Sequence, residues 1–318
     1  MAGELNLKSF LAGVARQTPT AELAARQAAA NAEARENWGD PRWHKEQSAL
    51  IAEAVDAGFT NPEVFRGVLR FRNLGANDKL VHRTRKGLKI YASAHGGYVD
   101  ESTLSIDTFE APKTPMAWHV VASEDDMLSD YAVQMAELVG LARQAEQAEI
   151  VRRQLLLLQA AVPSSSPYYV DATGSGLTAA VLNAAIRGVA DADRPGGGLL
   201  PTQITIIGRA AAVDEISDFT GFSDTQLDEI NAQGWLGRYR GARINRLVNW
   251  TDGEGTSFMP EDEVWVVSDD AGDFARFGQA RVNTWTENEL DKTHTKSRRE
   301  VGGFIAYPQN VRRIKLAA

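Results

Sequence analysis

An α+β fold is predicted by three features of this sequence: one long helical stretch, short strand-like segments on both sides of it, and no regular βαβ repeat. From Ser123 to Val162 there is no proline, and Gly140 is the only glycine. Ser123 followed by Glu124, Asp125 and Asp126 makes a helix start, because a hydroxyl cap and acidic side chains meet the unpaired N–H groups of a first turn. Leu128, Tyr131, Met135, Leu138, Val139 and Ala142 then recur at helical spacing. Pro163-Ser-Ser-Ser-Pro167 closes the run. Unbroken, such a helix spans roughly 60 Å. A compact globule of this length is only about 50 Å across. The expectation is an elongated or flat subunit whose exposed faces are covered by neighbours, with Gly140 as the point where the helix could bend.

Residues 1 to about 72 are rich in Ala, Glu, Gln and Arg and read as helices. One runs around Ala21 to Asn37, a second around Pro41 to Ala57, and a third begins near Asn61-Pro62, an Asn cap followed by a proline that a first turn tolerates. The first is apolar mainly through alanine, which suits an arm laid against another surface; a helical cap on the same subunit is the alternative. From Lys79 to Val121 the texture changes. Leu88-Lys-Ile-Tyr91 reads as a short strand, Gly96-Gly97 as a turn or tip, and Leu104-Ser-Ile-Asp-Thr-Phe109 alternates as a half-covered strand does. Ala117-Trp-His-Val-Val121 is a strand that leads into the long helix.

The 79–121 stretch therefore reads as an extended two-stranded excursion, and a long hairpin with little core of its own implies a partner surface. Lys79, Arg83, Arg85, Lys86 and Lys89 lie near its start, and Asp100, Glu101, Asp107 and Glu110 line its later half. Complementary patches of this kind can steer one subunit onto another, although any one such charge is often only solvated.

After the breaker, Leu177 to Val189 reads as a helix, Pro195-Gly196-Gly197-Gly198 as a loop, and Ile204 to Ile207 as a buried strand. Arg209 to Phe219 and Asp224 to Ile230 are helical in pattern. Trp235 to Asn245 leads into a strand expected at Arg246 to Trp250, and Thr251 to Gly255 reads as a loop. Val264-Trp-Val-Val267, Ala280 to Thr286, Phe304 to Tyr307 and Val311 to Leu316 complete the strands.

The totals restrict function. At 318 residues the chain can bury a substantial core and hold two or more substructures. A formal charge of −8 argues against wrapping nucleic acid through an overall basic surface. With no cysteine, disulfides, thiolate nucleophiles and cysteine-ligated metals are excluded. The start, Met1-Ala-Gly-Glu-Leu-Asn, lacks the basic and apolar regions of a signal peptide, and no apolar run reaches bilayer length, so synthesis and retention in the cytoplasm are expected.

No chemical signature emerges. Pro195-Gly-Gly-Gly198 is not followed by Gly-Lys-Ser/Thr, and Gly174-Ser-Gly176 lacks a dinucleotide setting. Asp269, Asp270 and Asp273 lack calcium-loop spacing and read as a turn or helix start. His44, His82, His95, His119 and His294 are dispersed, with His119 on a strand and His294 in a charged loop. No residue is assigned a catalytic, cofactor or metal role. The cluster Trp235, Arg238, Tyr239, Arg240 and Arg243 has the composition of a protein–protein interface core. An interface or loop-anchoring role is the preferred reading, packing within the subunit is the alternative, and stacking on single-stranded nucleic acid is disfavoured by the acidic balance.

The order of parts resembles the major capsid protein of tailed bacteriophages, a fold also used by encapsulin shells. The stretches that carry the likeness are Leu104 to Phe109 leading through Trp118-His-Val-Val-Ala-Ser-Glu124 into the long helix, Gly234-Trp-Leu-Gly-Arg-Tyr-Arg-Gly-Ala-Arg-Ile244, Asp262-Glu-Val-Trp-Val-Val-Ser268, and Gly302-Gly-Phe-Ile-Ala-Tyr307. They cover roughly residues 76 to 318 and are textural motifs.

The resemblance implies an N-terminal helical arm at 1–75, an extended loop at 76–122, and a peripheral domain with its spine helix at 123–175. An axial domain follows at 176–267, and 268–318 returns to the peripheral domain. It implies pentamers and hexamers closing an icosahedral head around double-stranded DNA, which the shell touches without reading sequence, with assembly in the host cytoplasm. Portal and scaffolding proteins are implied partners, decoration proteins are optional ones, and no cofactor or membrane is involved. Because the chain starts at Met1, proteolytic removal of an N-terminal scaffolding region is not expected. Lys86 and Lys89 lie near the loop that some members crosslink; noncovalent packing is the default. The suspected intersubunit contacts are the charged residues named above from Arg83 to Glu110, together with Trp235, Arg238, Tyr239, Arg240 and Arg243. An encapsulin-like compartment and a cytoplasmic α+β enzyme, the latter using a pocket with His119, His294 and carboxylates, are the competing readings.

Overall fold

The structure, a computed structural model, describes residues 4–15, 20–60, 62–86, 105–192, 203–249, 260–269, 271–287 and 290–317. Three helices open the chain: α1 (Glu4–Ala15), α2 (Thr20–Asn37) and α3 (Pro41–Ala57). Asp40 caps α3 by accepting from the Arg42 N–H, and Pro41 occupies the first turn, where no N–H is needed. The expected third helix near Pro62 is only a 3₁₀ turn, Glu63–Phe65, and Asn61 lies outside the described residues. Gly67 then takes a positive φ of 89° and turns the chain into a strand, β1 (Leu69–Leu74). The competing force is tertiary: β1 pairs in parallel with a strand two hundred residues later, a partner that local pattern cannot reveal.

A two-stranded antiparallel ribbon follows, β2 (Val81–Lys86) with β3 (Ser105–Glu110). The expected strand at Leu88–Tyr91 and the Gly96-Gly97 tip lie outside the described residues. β4 (Thr114–Ser123) leads into α4 (Glu124–Ser129), with Ser123 accepting from the Asp126 N–H as the sequence expects.

The long helix differs from expectation at one point. α4 stops at Ser129, Asp130 adopts φ −150° and ψ 70°, and α5 (Tyr131–Ala161) resumes for 31 residues, roughly 46 Å. The cause lies on α2. Gln27 donates to both Asp130 carboxylate oxygens at 3.1 and 2.9 Å, Asn31 donates to one at 2.9 Å, and Asn31 Oδ1 accepts from the Ala132 N–H at 2.9 Å. Asn31 thus caps α5 from another helix. At Gly140 the helix continues unbroken.

The remainder comprises β5 (Tyr169–Asp171), α6 (Ala179–Ala190), β6 (Ile204–Arg209), α7 (Ala210–Asp214), α8 (Asp224–Gln233), β7 (Arg238–Tyr239), β8 (Ala242–Leu247), β9 (Glu263–Ser268), β10 (Gly272–Glu287), β11 (Lys292–Ile305) and β12 (Val311–Lys315). Pro195–Gly198, Trp250, Thr251–Gly255 and Asp270 lie outside the described residues. Two expectations shift. The strand forecast at Arg246–Trp250 sits earlier, at β8, because Arg240 and Gly241 take positive φ (48° and 82°) and close a tight hairpin with β7. Asp273 is a strand residue of β10, paired with Arg72 at 3.1 Å, not part of a turn.

Two larger sheets result, ordered β1-β10-β11-β4 and β5-β12-β9-β6-β8-β7. The C-terminal half of α5 lies between them. Ile150, Leu155 and Leu158 join one core with Met116, Phe274 and Val301 of the first sheet and Ile207, Leu247, Trp265 and Val267 of the second. Close approach is enabled at Gly303, where a Cβ would lie 2.8 Å from Leu157 and 2.7 Å from Phe274. The N-terminal half of α5 meets α1, α2 and α3 through Leu7, Trp38, Trp43, Tyr131 and Met135. A third core, including Leu182, Val189, Ile206, Val213, Tyr239 and Val264, fills the six-stranded side.

Between the helices and the four-stranded sheet sits a buried ionic cluster. The Arg299 side chain has no exposed surface; its Nη2 lies 2.6 Å from Asp56 Oδ1 and 3.2 Å from Glu146 Oε2. Its guanidinium is 4.0 Å from the Phe59 ring centroid, and Trp118 Nε1 donates to Glu146 Oε1 at 3.1 Å. Burial pushes the Glu146 carboxyl above its ordinary range, outweighing the opposing pull of Arg299. Arg299→Ala would leave the buried Glu146 carboxyl without its cation and Asp56 with only Arg276, 3.7 Å away, so urea unfolding of the unassembled subunit should show a loss of about 3–5 kcal/mol; a loss below about 1 kcal/mol would contradict this role.

Glu146 also makes stability depend on pH. A folded pKa above the unfolded one stabilises fully below the unfolded value of 4.5, and that contribution is lost as pH rises through the folded value. The stability of Glu146→Gln relative to the parent should therefore improve as pH climbs from 4.5. Parallel stability–pH curves for the two proteins would contradict the shift.

Candidate assembly surfaces

The excursion is rooted firmly. Leu80 and Ala111, at its two ends, are buried with Phe277 and Phe304, and the His82 ring packs 5.3 Å from Phe304 and 5.6 Å from Tyr307. Phe109 also meets Phe304, at 5.4 Å, yet remains 52% exposed. Arg83 pairs with Thr108 in the ladder and its side chain is exposed. Arg85 and Lys86 stand opposite Ile106 and Ser105, and Asp107 opposite Thr84, in the backbone ladder. Lys89, Asp100 and Glu101 lie outside the described residues. Glu110 pairs with Lys79 of its own chain at 3.0 Å; both are exposed, so the pair contributes about 0–1 kcal/mol.

The Trp235–Arg243 segment divides into packed and free parts. Tyr239 is buried edge-on against Phe219 and Phe222. The Arg246 guanidinium sits 5.2 Å from the Trp235 ring and 2.6 Å from Asp214, a residue outside the expected set. Arg238 and Arg240 are exposed, the latter at the hairpin turn. Arg243 comes within 3.9 Å of Glu63, and Asn245 donates to the Val64 carbonyl at 2.6 Å, fastening this hairpin to the 3₁₀ turn after α3. An open cleft of about 610 Å³ lies alongside, lined in part by Trp235, Arg238 and Arg243.

One constellation has no signal in the sequence. His294 is not in a loop but on β11, and strand register brings it to His119 of β4, Nδ1 to Nε2 at 3.2 Å. Trp285 of β10 stacks on His294 at 5.0 Å and an interplanar angle of 6°, and Glu287 accepts from His294 Nε2 at 3.1 Å. The histidines lie 175 positions apart, so only the pairing of β4 with β11 could have joined them. The group sits on an open sheet face, and the described clefts beside α3 and beside Trp235 are lined by other residues. Among the described residues, no three His, Asp or Glu side chains are grouped to hold a metal, and no helix is long and apolar enough to cross a membrane. Large apolar side chains are exposed instead, including Leu141 at 65% and Leu156 at 46% on α5.

This fold is shared with phage capsid structures. Over 80% of this chain and 88% of the other, it superposes on the acid-stable capsid of Helicobacter pylori bacteriophage KHP30, with TM-score 0.57 and 10% identity. Microbacterium phage Oxtober96 gives TM-score 0.56 at 12% identity, covering 81% of this chain and 91% of that one. The capsid of cyanophage P-SCSP1u gives 0.55 at 12%, covering 81% and 89%. At such identities the likeness establishes the fold alone. No curated protein matches the sequence. A family model described as "SPbeta prophage-derived putative capsid protein YonB" matches residues 14–310. The chain spans nearly the whole of its length within that match, and it belongs to this family of prophage-derived capsid proteins.

Proposed function

We propose that the chain is the major capsid protein of a tailed-phage head, self-assembling into pentamers and hexamers of an icosahedral shell around double-stranded DNA. The observation that carries this is the family match over residues 14–310, joined to an α+β fold shared with several phage capsids. In this reading α5 is the spine helix. Residues 1–75 form the arm, 76–122 the overlapping loop, 123–175 and 268–318 the peripheral domain, and 176–267 the axial domain. The ranges share sheets: β1 and β4 pair into the β10–β11 sheet, while β5 and β12 complete the sheet of β6, β8 and β9. Such sharing would hold arm, loop and spine as one tile.

Assembly by repeated heterologous contact closes into rings when the rotation closes. The working surfaces in this reading are the basic base of the excursion (Arg83, Arg85, Lys86, Lys89), its acidic flank (Asp100, Glu101, Asp107, Glu110), and the Trp235–Arg243 segment. Within that segment the exposed Arg238 and Arg240 would meet a neighbour, the Arg240 guanidinium lying 6.0 Å from the Tyr239 ring, while Tyr239 is taken up by its own core. DNA contact would be non-specific, and portal, scaffolding and decoration proteins would be further partners, with assembly in the host cytoplasm.

Deleting residues 92–102 should leave a soluble, folded subunit while abolishing most shell formation, read by circular dichroism and sedimentation velocity on the same preparations. Shells at the parental yield from the deleted chain would contradict the loop's assignment.

A further inference from the structure

β4 is an outer strand. β11 pairs along one side of it, and among the described residues no strand pairs along the other. Its ten residues carry no charged side chain, and Val120 and Val121 are 41% and 48% exposed. Arg153 of α5 donates to the Thr114 and Pro115 carbonyls at 3.5 and 2.7 Å. Beyond Pro115 no described hydrogen bond reaches the outer side of the strand. Native proteins normally blunt a long edge with lysines, bulges or cover. This one is uncharged and open over most of its length.

The charge lies one strand further in. Directly paired residues share a sheet face, so Arg281 and Arg298 stand together, Lys296 beside His119, and Trp285, His294 and Val121 in one row. The opposite face is the covered one, where Thr293, Thr295, Ser297 and Arg299 are buried. Lys292 extends the open face, whose carboxylates are Glu287, held by His294, and the half-buried Glu300. An uncharged edge thus borders a face with four cations, Arg281, Lys292, Lys296 and Arg298, in a chain whose formal charge is −8.

We propose that the β4 edge and this face receive an extended acidic segment from a second copy of the chain, added as a further strand beside β4. The inference rests on the shell reading for its partner and deepens it by naming the receiving surface. Strand spacing puts the added strand about 10 Å from β11, within the combined reach of a lysine or arginine and a facing carboxylate. The edge offers alternating N–H donors and C=O acceptors, which a peptide strand satisfies in both directions. A nucleic acid backbone supplies phosphate acceptors only and would leave the β4 carbonyls unmatched. Trp285 and the stacked histidines give the incoming side chains an aromatic floor.

The test uses the full chain. Because it has no cysteine, Ala117→Cys creates a single exposed labelling point on the proposed face. A benzophenone attached there, in particles mixed from isotopically light and heavy copies, should crosslink between copies to an acidic extended segment. Crosslinks confined to one copy, or to nucleic acid, overturn the proposal. In parallel, Val120→Lys with Val121→Lys should lower particle yield by about tenfold or more while the unassembled subunit melts within about 3 °C of the parent. Parental yield from that folded double variant also overturns it. If the parent forms no particles, the shell reading fails on its own. The same label then reports on whatever soluble oligomers exist: intercopy crosslinks support the edge contact, and their absence overturns it.

Discussion

Arg299 holds this subunit's layers in one arrangement. A fully buried guanidinium faces Asp56 at the end of α3 and Glu146 in the middle of α5, lies over Phe59, and is itself a strand residue of β11. Trp118 of β4 joins through Glu146, and the Ala280 N–H of β10 reaches Asp56 at 3.4 Å. Five elements therefore meet at this cluster, where Arg276 of β10 also approaches Asp56, at 3.7 Å. Buried ion groups add little net stability over apolar packing, because desolvation offsets most of the Coulomb gain. Their effect is on alternatives: sliding α5 by one turn would strand the Glu146 carboxyl and the Arg299 guanidinium in a dry interior.

That constraint sets the register of α5 against the sheets. The leucines of α5 and Ile150 would tolerate several registers against the sheets, since apolar contact is non-directional. The ionic cluster selects one, and Asn31 with Gln27 selects it again at the start of α5 by capping from α2. Fixed at both points, α5 can leave Leu141 and Leu156 facing outward and still keep its place. A tile of this kind presents the same edges every time, which repeated heterologous contact requires.

Much of this was legible in the sequence where the cause is local. The cap at Ser123, the proline entry at Pro41, the breaker at Pro163 and the apolar run at Val264–Val267 each act within a few residues, and each sits on or near the observed boundary. The misses share a different cause. The break at Asp130 is made by side chains about a hundred positions earlier, β1 exists because β10 pairs with it, and His294 meets His119 only through strand register. The candidate surfaces were less legible still. Composition flagged Trp235 to Arg243 as one interface cluster, whereas folding sends Tyr239 into the core and leaves Arg238 and Arg240 outside. The β4 strand was legible, but its position at an open edge was not; that edge's significance comes from the absence of charge on a strand whose place in the sheet only the topology reveals.

The central claim, that this acidic, cysteine-free chain is a shell tile, is tested most directly by cryo-electron microscopy of the purified full-length protein. Closed particles with pentamers at five-fold vertices and hexamers between them, in which α5 keeps its contact with Arg299 in every copy, are the expected result. A homogeneous monomer or a small closed oligomer under all assembly conditions would contradict it.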